Sequence, residues 1–76
     1  MREKQIEQRL SQRVIQLGGV AFKFVSPGMD GMPDRLILLH GGRAAFAELK
    51  APGQYPRPLQ LRRKRQLETL GFRVFV

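Results

Sequence analysis

Ile6, Leu10, Val14 and Leu17 follow one another in steps of four, four and three, the spacing that lays one apolar stripe along an α-helix. A helix over about residues 3–17 is expected, stopped by Gly18-Gly19. Val20-Ala21-Phe22-Lys23-Phe24-Val25 is β-branched and aromatic with partial alternation, and it ends at the turn signal Ser26-Pro27-Gly28, so it reads as a strand. The segment MDGMP, residues 29–33, is loop-like. Leu36-Ile37-Leu38-Leu39 is then an apolar run too short for a helix and bounded by Gly41-Gly42, which predicts a buried central strand.

Beyond those glycines, residues 43–50 alternate as a strand does. Ala44, Phe46, Glu48 and Lys50 fall on one face and Ala45, Ala47 and Leu49 on the other, making a hairpin with the preceding strand despite the poor strand propensity of alanine. APGQYPRP, residues 51–58, is a loop that leads into a helix with Pro58 in its first turn. Leu59, Leu67 and Leu70 share one face of that helix, Gly71 stops it, and residues 72–76 read as a closing strand. The expected order is α-β-β-β-α-β, an α/β fold with a small mixed sheet flanked by helices.

Length confines this pattern to one domain, residues 1–76, and the absence of cysteine rules out disulfides or a thiolate zinc site as staples. A core this small makes oligomerisation an expectation. Fourteen Lys and Arg against six Asp and Glu give a net charge of +8, which attracts polyanions, nucleic acid first among them. No apolar run nears the roughly 18 residues needed to cross a bilayer, and MREKQIEQRL is too polar for a signal peptide, so a cytoplasmic protein without a membrane partner is expected.

Among so many cations the few carboxylates carry information. Hydrolysis of a phosphodiester calls for a divalent cation, and oxygen ligands suit Mg²⁺ or Mn²⁺. Asp34 stands where the loop enters the apolar strand and Glu48 lies on the neighbouring strand, so both could reach one ion. Lys50, two residues on, shares the face of Glu48, where an ammonium can polarise a water or hold a phosphate. Glu-x-Lys by itself is common as a solvated ion pair. Here Ala44 and Phe46 precede Glu48 on its own face, which brings the carboxylate to the edge of the core, where an unpaired charge is costly. Register sets a condition: a two-residue Gly41-Gly42 turn would pair Asp34 with Leu49 and turn it away from Glu48. The shared site therefore requires an odd-length loop, a bulge, or an Asp34 just outside the ladder.

Gly31-Met32-Pro33-Asp34, Glu48-Leu49-Lys50 and Gln60, in this order and spacing, resemble the virus-type replication-repair nuclease (VRR-NUC) family of the PD-(D/E)xK superfamily. The resemblance runs from Glu7 to the last strand. It implies a restriction-endonuclease-like core and a stand-alone nuclease in which Asp34, Glu48 and the backbone carbonyl of Leu49 bind the metal, Lys50 is the catalytic lysine, and Glu7 and Gln60 complete the site, Glu7 as a candidate further metal ligand. Viral proteins similar to this one act as dimeric Holliday junction resolvases, so the resemblance also implies a homodimer acting on branched DNA. Two features depart from the family. Arg63 stands among the leucines where a bulkier apolar residue is usual, and the sequence stops at Val76 where members often continue into a short helix.

Periodicity weighs the flanking residues separately. Glu7 falls about 20° from Val14 on the rim of the first helix's stripe, but Glu3 lies on the same side one turn earlier, and spacing does not choose between them. Gln60 lies within about 20° of Leu67 and faces inward, where it either meets a metal-bound water or caps a backbone group. Arg35, Arg57, Arg62, Arg63, Lys64 and Arg65 are the candidate DNA-binding residues. His40, beside Gly41 in a turn, reads as a plain loop residue rather than a general base, and Tyr55 either stacks on a base or packs the loop. The function expected is a Mg²⁺- or Mn²⁺-dependent deoxyribonuclease selective for branched DNA. The alternative is a non-catalytic basic nucleic-acid-binding domain, which would gain nothing from converging Glu7, Asp34 and Glu48 among bound phosphates.

Overall fold

The computed structural model describes residues 3–50 and 53–76. Its elements are α1 (Glu3–Gln16), β1 (Val20–Lys23), β2 (Arg35–Leu39), β3 (Arg43–Ala47), α2 (Pro58–Thr69) and β4 (Arg73–Phe75), in the expected order. The strands form one sheet in the order β1-β2-β3-β4, antiparallel except for the parallel β3–β4 pair that α2 connects. β1, β3 and β4 are shorter than the strands the pattern predicts, whereas β2 begins one residue before its apolar run, at Arg35. Phe24 has left β1 yet still donates its N–H to the Asp34 carbonyl at 2.9 Å, and the third strand ends at Ala47, three residues before Lys50.

Alternation along β3 divides the core in two. Ala45 and Ala47 join Val14, Ile37 and Leu49 on the α1 side, with Ile6, Leu10, Ala21 and Leu39 packed around them. Phe46 turns the other way, to Leu67 and Val74. Its ring makes edge-to-face contacts with Phe24 and Phe72, each with centroids 5.8 Å apart. Ala45 and Ala47 are buried in one cluster with Val14 of α1, which offsets their weak strand propensity.

Both helices end in the same way. The N–H of Gly19 bonds the Val14 carbonyl and that of Gly18 the Ile15 carbonyl; Phe72 and Gly71 repeat this on Leu67 and Glu68. This Schellman pattern needs a left-handed residue at its turn, supplied by Gly18 (φ 81°) and Gly71 (φ 102°). It also corrects the apolar stripes. Leu17 and Leu70, counted as the last core positions of their helices, sit on the caps past the final turn over the sheet and are 56% and 68% exposed. A second correction concerns β2, which is central but covered fully on only one face. α2 packs toward β4, so Leu38 shares an open apolar face with Val20 and Phe22 of β1. The loop expected over residues 51–58 is described only from Gly53; residues 51 and 52 lie outside the described residues.

Candidate active site

The hairpin between β2 and β3 turns through His40, Gly41 and Gly42, with Leu39 paired to Arg43. That is the odd-length loop, and its two glycines take φ values of 81° and 73° that side chains rarely adopt. The resulting register pairs Arg35 with Ala47, and one step further it brings Asp34 opposite Glu48. A loop one residue shorter would have turned Asp34 to the other face.

Asp34 is fixed by its backbone. Its N–H donates to Glu48 Oε2 at 3.1 Å, and its carbonyl accepts from the Phe24 N–H at 2.9 Å and from Arg35 at 2.9 Å. Its Oδ1 accepts the Leu49 N–H at 3.3 Å. The loop before it is pinned as well: Pro33 is buried, Met32 packs under Phe46, and Arg63 Nε donates to the Asp30 carbonyl at 2.8 Å. Gly31 (φ 81°) lies so close to α2 that a Cβ there would come within 2.6 Å of Leu59 Cγ.

Glu48 is held from three sides. Its N–H donates to the Phe75 carbonyl at 2.8 Å, so β4 anchors the backbone one residue past the end of β3. Its Oε1 accepts from Gln60 Nε2 at 2.9 Å and lies 3.3 Å from Lys50 Nζ. Only 7% of Glu48 is exposed. Burial raises its pKa above the ordinary glutamate value and the charge of Asp34 raises it further, while Lys50 and the Asp34 N–H work in the opposite direction.

Of the two roles expected for Gln60, the structure contains the backbone cap, and the amide also reaches Glu48. Its Oε1 accepts the Arg57 N–H at 2.7 Å, closing the first turn of α2, while its Nε2 holds Glu48. Arg35, expected on the DNA surface, is instead buried at 6% exposure. It shares the α1-facing side of the sheet, and its NH2 lies 2.8 Å from Glu7 Oε2. Glu7 is thus joined to Asp34 through Arg35. Asp34, Glu48, Lys50 and Gln60 come together; no cluster of three or more metal-ligating side chains occurs among the described residues. The side chain of Glu3, the other candidate on α1, lies outside them.

The remaining basic candidates divide. Arg63 is taken up by Asp30 and Gln66, and Lys64 pairs with Glu68 at 3.0 Å, whereas Arg57, Arg62 and Arg65 are exposed. His40 and Tyr55 are exposed too. Lys4 and Lys23, which are not among the basic candidates from the sequence, line a groove of about 630 Å³ with Glu7, Phe24, Val25, Asp34 and Arg35. The β1–β2 register, which opposes Lys23 to Arg35, is the signal that would have found the second of them.

As for a metal, Asp34 and Glu48 offer carboxylate oxygens on opposed residues, and the mutual repulsion that raises the Glu48 pKa is the kind a hard divalent cation relieves. The residues fit such an ion. No helix among the described residues is long and apolar enough to cross a membrane.

No sequence-family model matches the chain. It is 50% identical over 76 residues to the "Putative nuclease p44" of Acyrthosiphon pisum secondary endosymbiont phage 1, covering 100% of this chain and 82% of that protein. A solved structure described as a VRR_NUC domain superposes with a TM-score of 0.87 at 33% identity, covering 97% of this chain and 81% of the other.

Proposed function

The chain belongs to the VRR-NUC family of nucleases, and from that premise we propose that it hydrolyses phosphodiester bonds of DNA with Mg²⁺ or Mn²⁺ held by Asp34, Glu48 and the backbone carbonyl of Leu49. The observation that carries the reading is a buried Glu48 aligned opposite Asp34 with a lysine on the same carboxylate. A purely structural ion pair would not bring a second carboxylate against a buried one. When bound, the ion supplies charge to offset that developing on the phosphate oxygens and acidity to a water.

The chain's own groups do the rest. Asp34 and Glu48 are ligands whose orientations are set before substrate arrives, Asp34 by the Leu49 N–H and Glu48 by Gln60 and the Asp34 N–H. Lys50 donates from Nζ to the attacking water or to a non-bridging oxygen of the scissile phosphate, exchanging its contact with Glu48 for one with substrate. Water adds to phosphorus as the bond to the 3′ oxygen breaks, and that oxygen takes up a proton. The products are a 5′-phosphate and a 3′-hydroxyl. Glu7, one arginine away from Asp34, orients Arg35 in this arrangement.

Substrate preference and assembly belong to the same proposal. Two sites in a homodimer would act on a four-way junction by paired nicks, and the open apolar face formed by Val20, Phe22 and Leu38 supports association of a chain this small. The direct test incubates linear, nicked and four-way-junction DNA with Mg²⁺, Mn²⁺ or EDTA. Cleavage is expected only with a divalent ion and is expected to fall at least a thousandfold, to about background, in folded Asp34→Ala, Glu48→Ala and Lys50→Ala. Wild-type rates in EDTA would remove the metal, and wild-type rates in the variants would remove the assigned site.

A further inference from the structure

Cross-strand neighbours of like charge destabilise a sheet, yet Lys23 of β1 stands opposite Arg35 of β2. Arg35 is compensated by Glu7 at 2.8 Å and more distantly by Asp34 at 3.8 Å. Lys23 is not, and neither is Lys4 on the adjacent turn of α1: both are exposed, and no carboxylate lies within ion-pair distance of either among the described residues. The Nε of Arg35 is buried and also lacks an acceptor among the described residues. Lys4, Lys23 and Arg35 all line the 630 Å³ groove, one wall of which is Asp34, with Phe24 and Val25 adding apolar surface. Glu48, Lys50 and Gln60 do not line it.

We propose that this groove is a second phosphate subsite, in which Lys4 and Lys23 hold a backbone phosphate of the strand being cut while the neighbouring phosphodiester lies at Asp34 and Glu48. It rests on the nuclease reading for the identity of the strand. The chemistry is complementary: two uncompensated ammonium groups meet a phosphodiester of fixed negative charge, and Phe24 and Val25 offer an apolar wall to the sugar. A strand seated there is held on one side of the scissile bond, which orients that bond against Asp34.

Affinity measured without cleavage tests the subsite apart from the chemistry. Fluorescently labelled duplex is titrated in EDTA over a series of salt concentrations with the wild type, Lys4→Ala, Lys23→Ala, the double variant, and Arg43→Ala at the hairpin end of the sheet as a charge control. Loss of that one phosphate contact is expected to reduce the slope of log K against log salt by about 0.9 in the double variant, and by a smaller amount in each single variant. Arg43→Ala is expected to keep the wild-type slope. Lys23→Gln retains the aliphatic stem and reports in place of Lys23→Ala should the latter disturb the edge strand. Unchanged slopes in folded lysine variants overturn the subsite, and so does an equal loss in Arg43→Ala, which would make the effect one of overall charge. Metal-dependent cleavage by the wild type, assayed separately, bears on the nuclease reading alone.

Discussion

Glu48 is the buried carboxylate of the candidate site, in contact with the Asp34 N–H, Lys50 and Gln60. Its carboxyl is raised by burial and by Asp34, so in the metal-free protein the folded state holds that proton at pH values where the unfolded chain has released it. The cost of ionising it is full above the raised pKa and is relieved as pH falls from there toward the ordinary glutamate value. Metal-free protein is therefore expected to gain stability from this group across that window. Asp34→Asn removes the second cause of the shift and should lower the Glu48 pKa and shrink the gain, as read by carboxyl chemical shifts and by thermal melts at stepped pH. A Glu48 that titrates at or below its ordinary value in the wild type would contradict the description of the pair. Much of this was legible from residues alone, because Pro-Asp and Glu-x-Lys are short local patterns. The inward role of Arg35 was not, since a cation entering a strand reads the same whether it meets DNA or Glu7.

At the scale of elements, one glutamine ties a helix to the site. Gln60 closes the first turn of α2 with its oxygen and holds Glu48 with its nitrogen, so the two functions separate by substitution. Gln60→Leu loses both and is expected to cost about 1 kcal/mol in urea unfolding, together with a fall in cleavage rate. Gln60→Glu keeps the acceptor that caps Arg57 but sets a further carboxylate, besides Asp34, against Glu48; the cap should survive while cleavage falls at least as far. Equal rates for wild type and Gln60→Glu would detach the helix from catalysis. Gly31→Ala tests the loop before Asp34. A positive φ alone costs about 1–2 kcal/mol for a residue with a Cβ, and the approach to Leu59 adds to it, so urea unfolding should show a loss of about 2 kcal/mol or more.

At the scale of the whole molecule, two exposed features bear on partners, the arginines of α2 and the apolar face shared by β1 and β2. Arg62 and Arg65 of α2 are exposed and outside the groove, and replacing both by alanine is expected to weaken DNA binding and flatten its salt dependence. An unchanged affinity and slope would take α2 out of the DNA surface. The open face of Val20, Phe22 and Leu38 bears on assembly. Light scattering at micromolar concentration is expected to give twice the 8.7 kDa chain mass, with four-way junctions cut in preference to linear duplex. A single 8.7 kDa species with and without junction DNA would falsify the dimer, and equal cutting of both substrates would leave a nuclease without junction selectivity.

The sequence by itself determined the order of elements and the division of β3 into two faces, because both follow from periodicity, which is local and repeats along the chain. It also located Asp34, Glu48 and Lys50 near the same strand ends. What it left open was register. Whether Asp34 faces Glu48 or turns away depends on one residue in the His40-Gly41-Gly42 turn, a choice made by the packing of two faces against two helices at once. The same limit accounts for Leu17, Leu70 and Leu38: periodicity identifies the side of an element that is apolar, but only the placement of the layers decides how far along that side something covers it. Tertiary structure also decided the partners of the cations. An arginine or lysine has no periodic signature of its own, and the burial of Arg35 against Glu7 of α1, opposite Lys23 of β1, arises from contacts between elements separate in sequence.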